Sequence, residues 1–147
     1  MLDTTRYQDI KMVQLVEMIT DQDLERILHC LNSASVDLDT LELWEEKIDR
    51  AEIIKQDQVP PDLVTMRSKI KCRGDEELER IGEITLVFPH EANIDEGKIS
   101  ILAPLGLALF GARAGSAITW KCRNGRTRKM VIDSLSYQPE ASGDWHL

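Results

Sequence analysis

Residues 99–120 read ISILAPLGLALFGARAGSAITW, and the reading of this run decides the fold of the C-terminal part. A strand is expected over Lys98–Leu102, bounded by the turn-forming Glu96-Gly97 on one side and Pro104 on the other. Proline cannot donate to a sheet ladder, so it ends the strand and suits the first turn of a helix. Leu105–Phe110 then forms a short helix with Gly111 suited to its C-terminal cap. Ala103, Gly106 and Ala108 are small enough for close contact, while Leu105, Leu109 and Phe110 supply apolar anchors. Ala117–Cys122 reads as the next strand.

Outward from this run the pattern stays strand-like. Ala117–Cys122 and Lys129–Leu135 flank Arg123-Asn124-Gly125-Arg126, and Asn-Gly is a strong hairpin signal. Upstream, Glu83–Phe88 alternates as a strand stopped by Pro89. Val64–Met66 with Ser68–Cys72 suggests another strand, separated from it by a charged turn over Arg73–Arg80. Gln58-Val59-Pro60-Pro61-Asp62 marks a boundary, because adjacent prolines cannot continue a helix interior and each restrains the residue before it. These residues predict a small twisted sheet with one short helix against it.

Before the prolines the periodicity is helical. Thr20 followed by Asp23 fits a helix cap, and Leu24, Ile27, Leu28 and Leu31 make one apolar stripe, giving a helix over Asp21–Leu31. Asn32–Ser35 reads as a turn. A second helix is expected over Leu38–Ile54, with Leu41, Trp44, Ile48 and Ala51 on its inward side. Two short helices on a short loop form an antiparallel hairpin. Ile10–Ile19 has apolar residues at steps of three, which favours helix or a mixed lead-in, although its Val-rich middle also tolerates a strand. The expected class is therefore α+β, with a helical hairpin over residues 1–59 and a sheet domain over residues 60–147.

Composition narrows the setting. Apolar residues make up 42% of 147, enough for a packed core. The net charge of −8 is uneven: residues 1–60 hold 14 acidic against 6 basic side chains, and residues 61–147 are balanced. An acidic N-terminal part is repelled by nucleic acid phosphates and suits a basic protein groove or a metal-bearing channel. No apolar run approaches the roughly 20 residues of a membrane span, and MLDTTRYQDIKM leads into no signal-like stretch, so the expected location is cytoplasmic. Cys30, Cys72 and Cys122 lack CxxC spacing and suggest neither a disulfide framework nor a zinc site; Cys30 and Cys122 are read as filling apolar faces. His29, His90 and His146 are dispersed. Arg113, Lys121, Arg123, Arg126, Arg128 and Lys129 form a candidate basic patch, for which acidic protein is a better partner than DNA given the overall charge.

Val64-Thr65-Met66, Ile84-Thr85-Leu86-Val87, Ile99–Pro104, Leu105-Gly106, Ala108–Gly111, Gly115, Trp120 and the ending Tyr137-Gln138-Pro139-Glu140-Ala141 with Gly143-Asp144 form a series. Together they resemble the C-terminal domain of the Gre transcript-cleavage factor superfamily, and the ending is most similar to its nucleoside-diphosphate-kinase-regulator branch. The resemblance implies an FKBP-like fold, without isomerase activity, that docks on the rim of the RNA polymerase secondary channel. Pro104, Leu105, Leu109 and Phe110 are then the docking candidates, each with core packing as the alternative. In such a factor the hairpin tip carries acids that help the polymerase hold a metal and position water. The matching region here is SASVDLDTLELWEE, with Asp37, Asp39 and Glu42 as tip candidates, but the family's Ser-Glu-Asn portion is absent. Capping and surface charge explain these acids as well, and no metal, cofactor or catalytic residue is assigned to the chain. The expected function is a polymerase-binding regulator that occupies the channel entrance and competes with other factors there, without intrinsic catalysis. A cleavage-stimulating elongation factor and a stand-alone protein-interaction domain are the alternatives, and the sequence leaves oligomeric state open.

Overall fold

The computed structural model describes residues 17–33 and 35–145. Most of the Ile10–Ile19 segment lies outside these residues, as does His146. Its described end is not helical: Glu17–Thr20 is strand β1. There follow helices α1 (Asp21–Ser33) and α2 (Leu38–Arg50) and strand β2 (Ala51–Ile54). β1 and β2 pair in parallel, Glu17 opposite Ala51 through Thr20 opposite Ile54, so the helical hairpin is the crossover between them. The second helix thus stops four residues short of the expected Ile54. Ala51 turns to extended geometry, and the β-branched Ile53 and Ile54 pair with β1. Helix α1 begins as its sequence promised, with Thr20 Oγ1 accepting the Asp23 N–H at 3.0 Å. It runs through Ser33, so the expected turn begins later.

The remaining elements are β3 (Lys69–Arg73), α3 (Glu76–Ile81), β4 (Glu83–Val87), β5 (Lys98–Ser100), α4 (Pro104–Leu109), β6 (Ala117–Lys121) and β7 (Thr127–Tyr137). Five strands form one sheet in the order β5-β4-β3-β7-β6, antiparallel except for β4 with β5. Two register shifts where β3 meets β7 curl the sheet. Alternation along β3 puts Ile70 and Cys72 inside and Lys69, Lys71 and Arg73 outside. Cys72 is accordingly the buried thiol, while Cys30 and Cys122 are half-buried.

Two expectations fail here. Val64–Met66 does not join β3, because a tight turn intervenes: Arg67 takes φ 68°, and the Thr65 N–H donates to Ser68 Oγ. Val64 instead exchanges backbone hydrogen bonds with Gly111 and Ala112. The charged stretch Arg73–Arg80 contains α3, capped by Asp75, whose side chain accepts the Leu78 N–H. Glutamates 76, 77 and 79 in its first turn favour the positive end of the helix dipole.

One core spans the proline segment. Ile19, Ile27 and Trp44 from the N-terminal part pack with Met66, Ile70, Ile84, Leu86, Ile101, Leu109, Phe110 and Ile132. Gln138, itself buried, secures the crossing strand of chain by donating Nε2 to the carbonyls of Pro60 (2.8 Å) and Leu63 (2.6 Å). Among the described residues no helix is long and apolar enough to cross a membrane.

Candidate docking cleft and hairpin tip

The β5–α4 connection is built without slack. Ser100 accepts the Ala103 N–H on its carbonyl and the Leu102 N–H on its hydroxyl, and Pro104 opens α4. Gly106 lies so close to this turn that a Cβ there would stand 1.9 Å from the Ser100 carbonyl oxygen. Helix α4 can press against the end of β5 only because the residue is glycine.

This connection forms one wall of an open cleft of ≈ 400 Å³. Pro104 and Leu105 line it together with Trp120 of β6 and Arg128 of β7, and Leu78, Ile94 and Ile99 add to the apolar lining. Arg128 is fixed from two sides. Its guanidinium carbon lies 5.3 Å from the Trp120 ring centroid, and its Nε and Nη2 donate to the two Asp75 oxygens at 2.9 and 2.6 Å. Those hydrogen bonds hold the Asp75 carboxyl below the usual carboxylate range. Glu77 adds a third carboxylate contact at 3.2 Å. The cleft is thus apolar at its base and carries held charge at its rim, where the exposed Arg123 also lies.

Of the four docking candidates, Leu105, Leu109 and Phe110 are buried in the core and Pro104 alone is half-exposed. Leu105 still reaches the cleft as its floor. The basic patch divides. Arg113 pairs with Asp62 and Arg128 with Asp75 and Glu77, whereas Lys121, Arg123, Arg126 and Lys129 are exposed along the β6–β7 hairpin. Ile94, 54% exposed in an otherwise polar loop, went unnoticed in the sequence; a lone isoleucine within EANIDEG was the available signal.

At the hairpin tip Asp37 is the N-cap of α2, accepting the Thr40 N–H at 2.8 Å. That bond and one from the Thr40 hydroxyl lower the Asp37 pKa, with a further contribution from Arg123 of the β6–β7 hairpin. Tip and cleft rim therefore feel each other's charge. Asp39 and Glu42 are exposed one helical turn apart. Among the described residues no three His, Cys, Asp or Glu side chains converge as a metal-binding group.

Residues 59–137 match the C-terminal family of the transcription elongation factors GreA/GreB. The chain belongs to the Gre family. This Gre-family chain is 35% identical over 134 residues to the Regulator of nucleoside diphosphate kinase of Escherichia coli (strain K12), covering 88% of itself and 96% of that protein. It is 40% identical over 90 residues to Transcription elongation factor GreA of Prosthecochloris aestuarii, covering 60% of itself but 56% of that relative. Among solved structures it resembles the prokaryotic transcription elongation factor GreA/GreB from Nitrosomonas europaea, with a TM-score of 0.65 and 33% identity over 83% of this chain and 98% of the other. The family resemblance expected from the sequence, including the regulator branch, holds.

Proposed function

We propose that this chain binds RNA polymerase through the cleft between Pro104 and Trp120 and acts on the elongation complex, its hairpin at the secondary-channel entrance. The observation that carries this reading is the cleft itself: a buildable apolar seat with a fixed arginine, within the residues matched by the elongation-factor family. We read the curled sheet around α4 as the FKBP-like docking domain and the location as cytoplasmic, where the polymerase is.

Of the two modes expected from the sequence, stimulation of transcript cleavage has the better support from the relatives, several of which are named transcription elongation factors. In this mode the polymerase performs the hydrolysis, and Asp37, Asp39 and Glu42 assist at its metal-bound water. Competition at the channel entrance without cleavage, placed first on sequence alone, becomes the second reading. Hairpin length favours it: each helix has 13 residues, about 20 Å. Asp37 is also already engaged as a cap. A stand-alone interaction domain ranks behind both.

Stalled elongation complexes with Mg²⁺ separate these readings when binding and transcript length are recorded together. Shortening that disappears in Asp37→Ser, which keeps a capping oxygen but drops the charge, or in Asp39→Asn with Glu42→Gln, supports cleavage stimulation. Binding without shortening supports competition. Absence of binding refutes both.

A further inference from the structure

Helix α2 meets the sheet domain through Trp44, with Lys47 and Ile48 beside it near Phe110 and Gly111. Trp44 is fully buried, and its indole N–H donates to the Ile101 carbonyl at 3.0 Å across 57 residues of sequence. Its ring meets Phe110 edge-on, with centroids 5.5 Å apart and planes at 60°. Ile101 opens the β5–α4 connection and Phe110 follows the end of α4, so Trp44 touches both ends of the segment that supplies Ala103, Pro104 and Leu105 to the cleft. Trp44 thus grips the back of the wall whose front is the proposed docking seat.

Three features make this grip directional. The indole N–H fixes the ring's rotation as well as its depth, because it is bonded to the Ile101 carbonyl. The connection has no room to yield, since Gly106 abuts the Ser100 carbonyl. And six helical residues, about 9 Å of rise, separate Trp44 from the start of α2 at Leu38, so a small rotation at Trp44 moves the acidic tip.

We propose that Trp44 is a positioning residue: it sets the angle at which the hairpin leaves the docked domain, and so where Asp37, Asp39 and Glu42 come to lie on the polymerase. The inference rests on the docking reading above. It assigns Trp44 no contact with the partner.

The test pairs affinity with position. Full-length protein carrying the photocrosslinker benzoylphenylalanine in place of Glu42 is titrated onto purified RNA polymerase elongation complexes. Its crosslinked polymerase sites are then mapped at saturation. Trp44→Phe keeps a ring in the core but removes the N–H donor. The expected result is a dissociation constant within two-fold of wild type and at least a three-fold loss of yield at the main crosslink site, redistributed to neighbouring sites. Phe110→Leu, which keeps an apolar side chain but removes the edge-on contact, gives the same split and stands in if Trp44→Phe fails to fold. An unchanged crosslink map with either folded variant overturns the inference. So does a loss of affinity equal to the loss of crosslinking, which marks a structural role alone. Failure of the wild-type protein to bind polymerase refutes the docking reading instead and is recognised before any variant is compared.

Discussion

Asp23→Asn should make the protein more stable at pH 8 and give no such gain at pH 4. Asp23 is 4% exposed on the inner face of α1, where its carboxylate accepts a long hydrogen bond from the Met66 N–H at 3.4 Å. Burial, with repulsion from Glu140, pushes its pKa up to about 7; the Met66 N–H, Arg26 and Arg67 oppose this only in part. Below about pH 4, folded and unfolded chains both hold the proton and the group adds no pH dependence. Between about pH 4 and 7 the unfolded chain ionises while the folded chain keeps the proton, so stability falls as pH rises. Above pH 7 both are ionised and the full penalty remains. Roughly three pH units at about 1.4 kcal/mol each make that penalty about 4 kcal/mol. Asparagine has the same shape, keeps an acceptor for the Met66 N–H and cannot ionise. At pH 8 the variant should therefore gain about 2–4 kcal/mol, the lower end allowing for imperfect placement of its new N–H₂. Urea denaturation of both proteins from pH 4 to pH 8 measures the difference, which isolates Asp23 from the other titrating groups. A variant less stable than wild type at pH 8, or a difference that does not change with pH, would refute the reasoning.

Gly106→Ala should destabilise the fold by more than about 2 kcal/mol, against the roughly 1 kcal/mol that alanine normally gains in a helix, because the added Cβ meets backbone at Ser100; a denaturation midpoint at or above wild type would contradict this. Gln138→Leu removes the donor shared by the Pro60 and Leu63 carbonyls and should cost about 2–3 kcal/mol, with faster amide exchange over residues 60–65 as the local signature. Arg128→Lys gives up the two-pronged contact with Asp75 and the guanidinium contact over the Trp120 ring. The Asp75 carboxyl should then titrate at higher pH by NMR, and polymerase affinity should fall; an unmoved Asp75 titration would show that charge alone, not geometry, holds it.

The central fold was legible where periodicity and punctuation agreed. Pro104, Gly111 and the Asn124-Gly125 turn bound α4 and the β6–β7 hairpin within a residue or two, because proline fixes φ and glycine admits the positive φ that Gly111 and Gly125 adopt. Strand β2 was illegible for the opposite reason. Ala51–Ile54 continues a helical stripe, and only its pairing with Glu17–Thr20, more than thirty residues earlier, makes it extended. The Val64–Met66 region looked like strand because its side chains are apolar and buried, yet hydroxyl bonds between Thr65 and Ser68 bend it away. Of the docking candidates, Pro104 and Leu105 line the cleft, but apolarity could not distinguish the cleft's floor from the core that buries Leu109 and Phe110. Neither could charge distinguish Arg128, spoken for by Asp75, from the exposed Arg123 and Arg126.

The two short parallel strands that flank the helical hairpin have an architectural consequence. Because chain enters at β1 and returns at β2 side by side, both ends of the hairpin are clasped at one point. Length can then be inserted as matched turns beside the segment between Ser33 and Leu38 while the clasp and the Trp44 grip stay in place. Each added pair of seven-residue segments would extend the arm by about 10 Å. Reach and anchorage are in this sense separate variables, and a lineage can retune how deeply such an arm probes its partner by editing the tip alone.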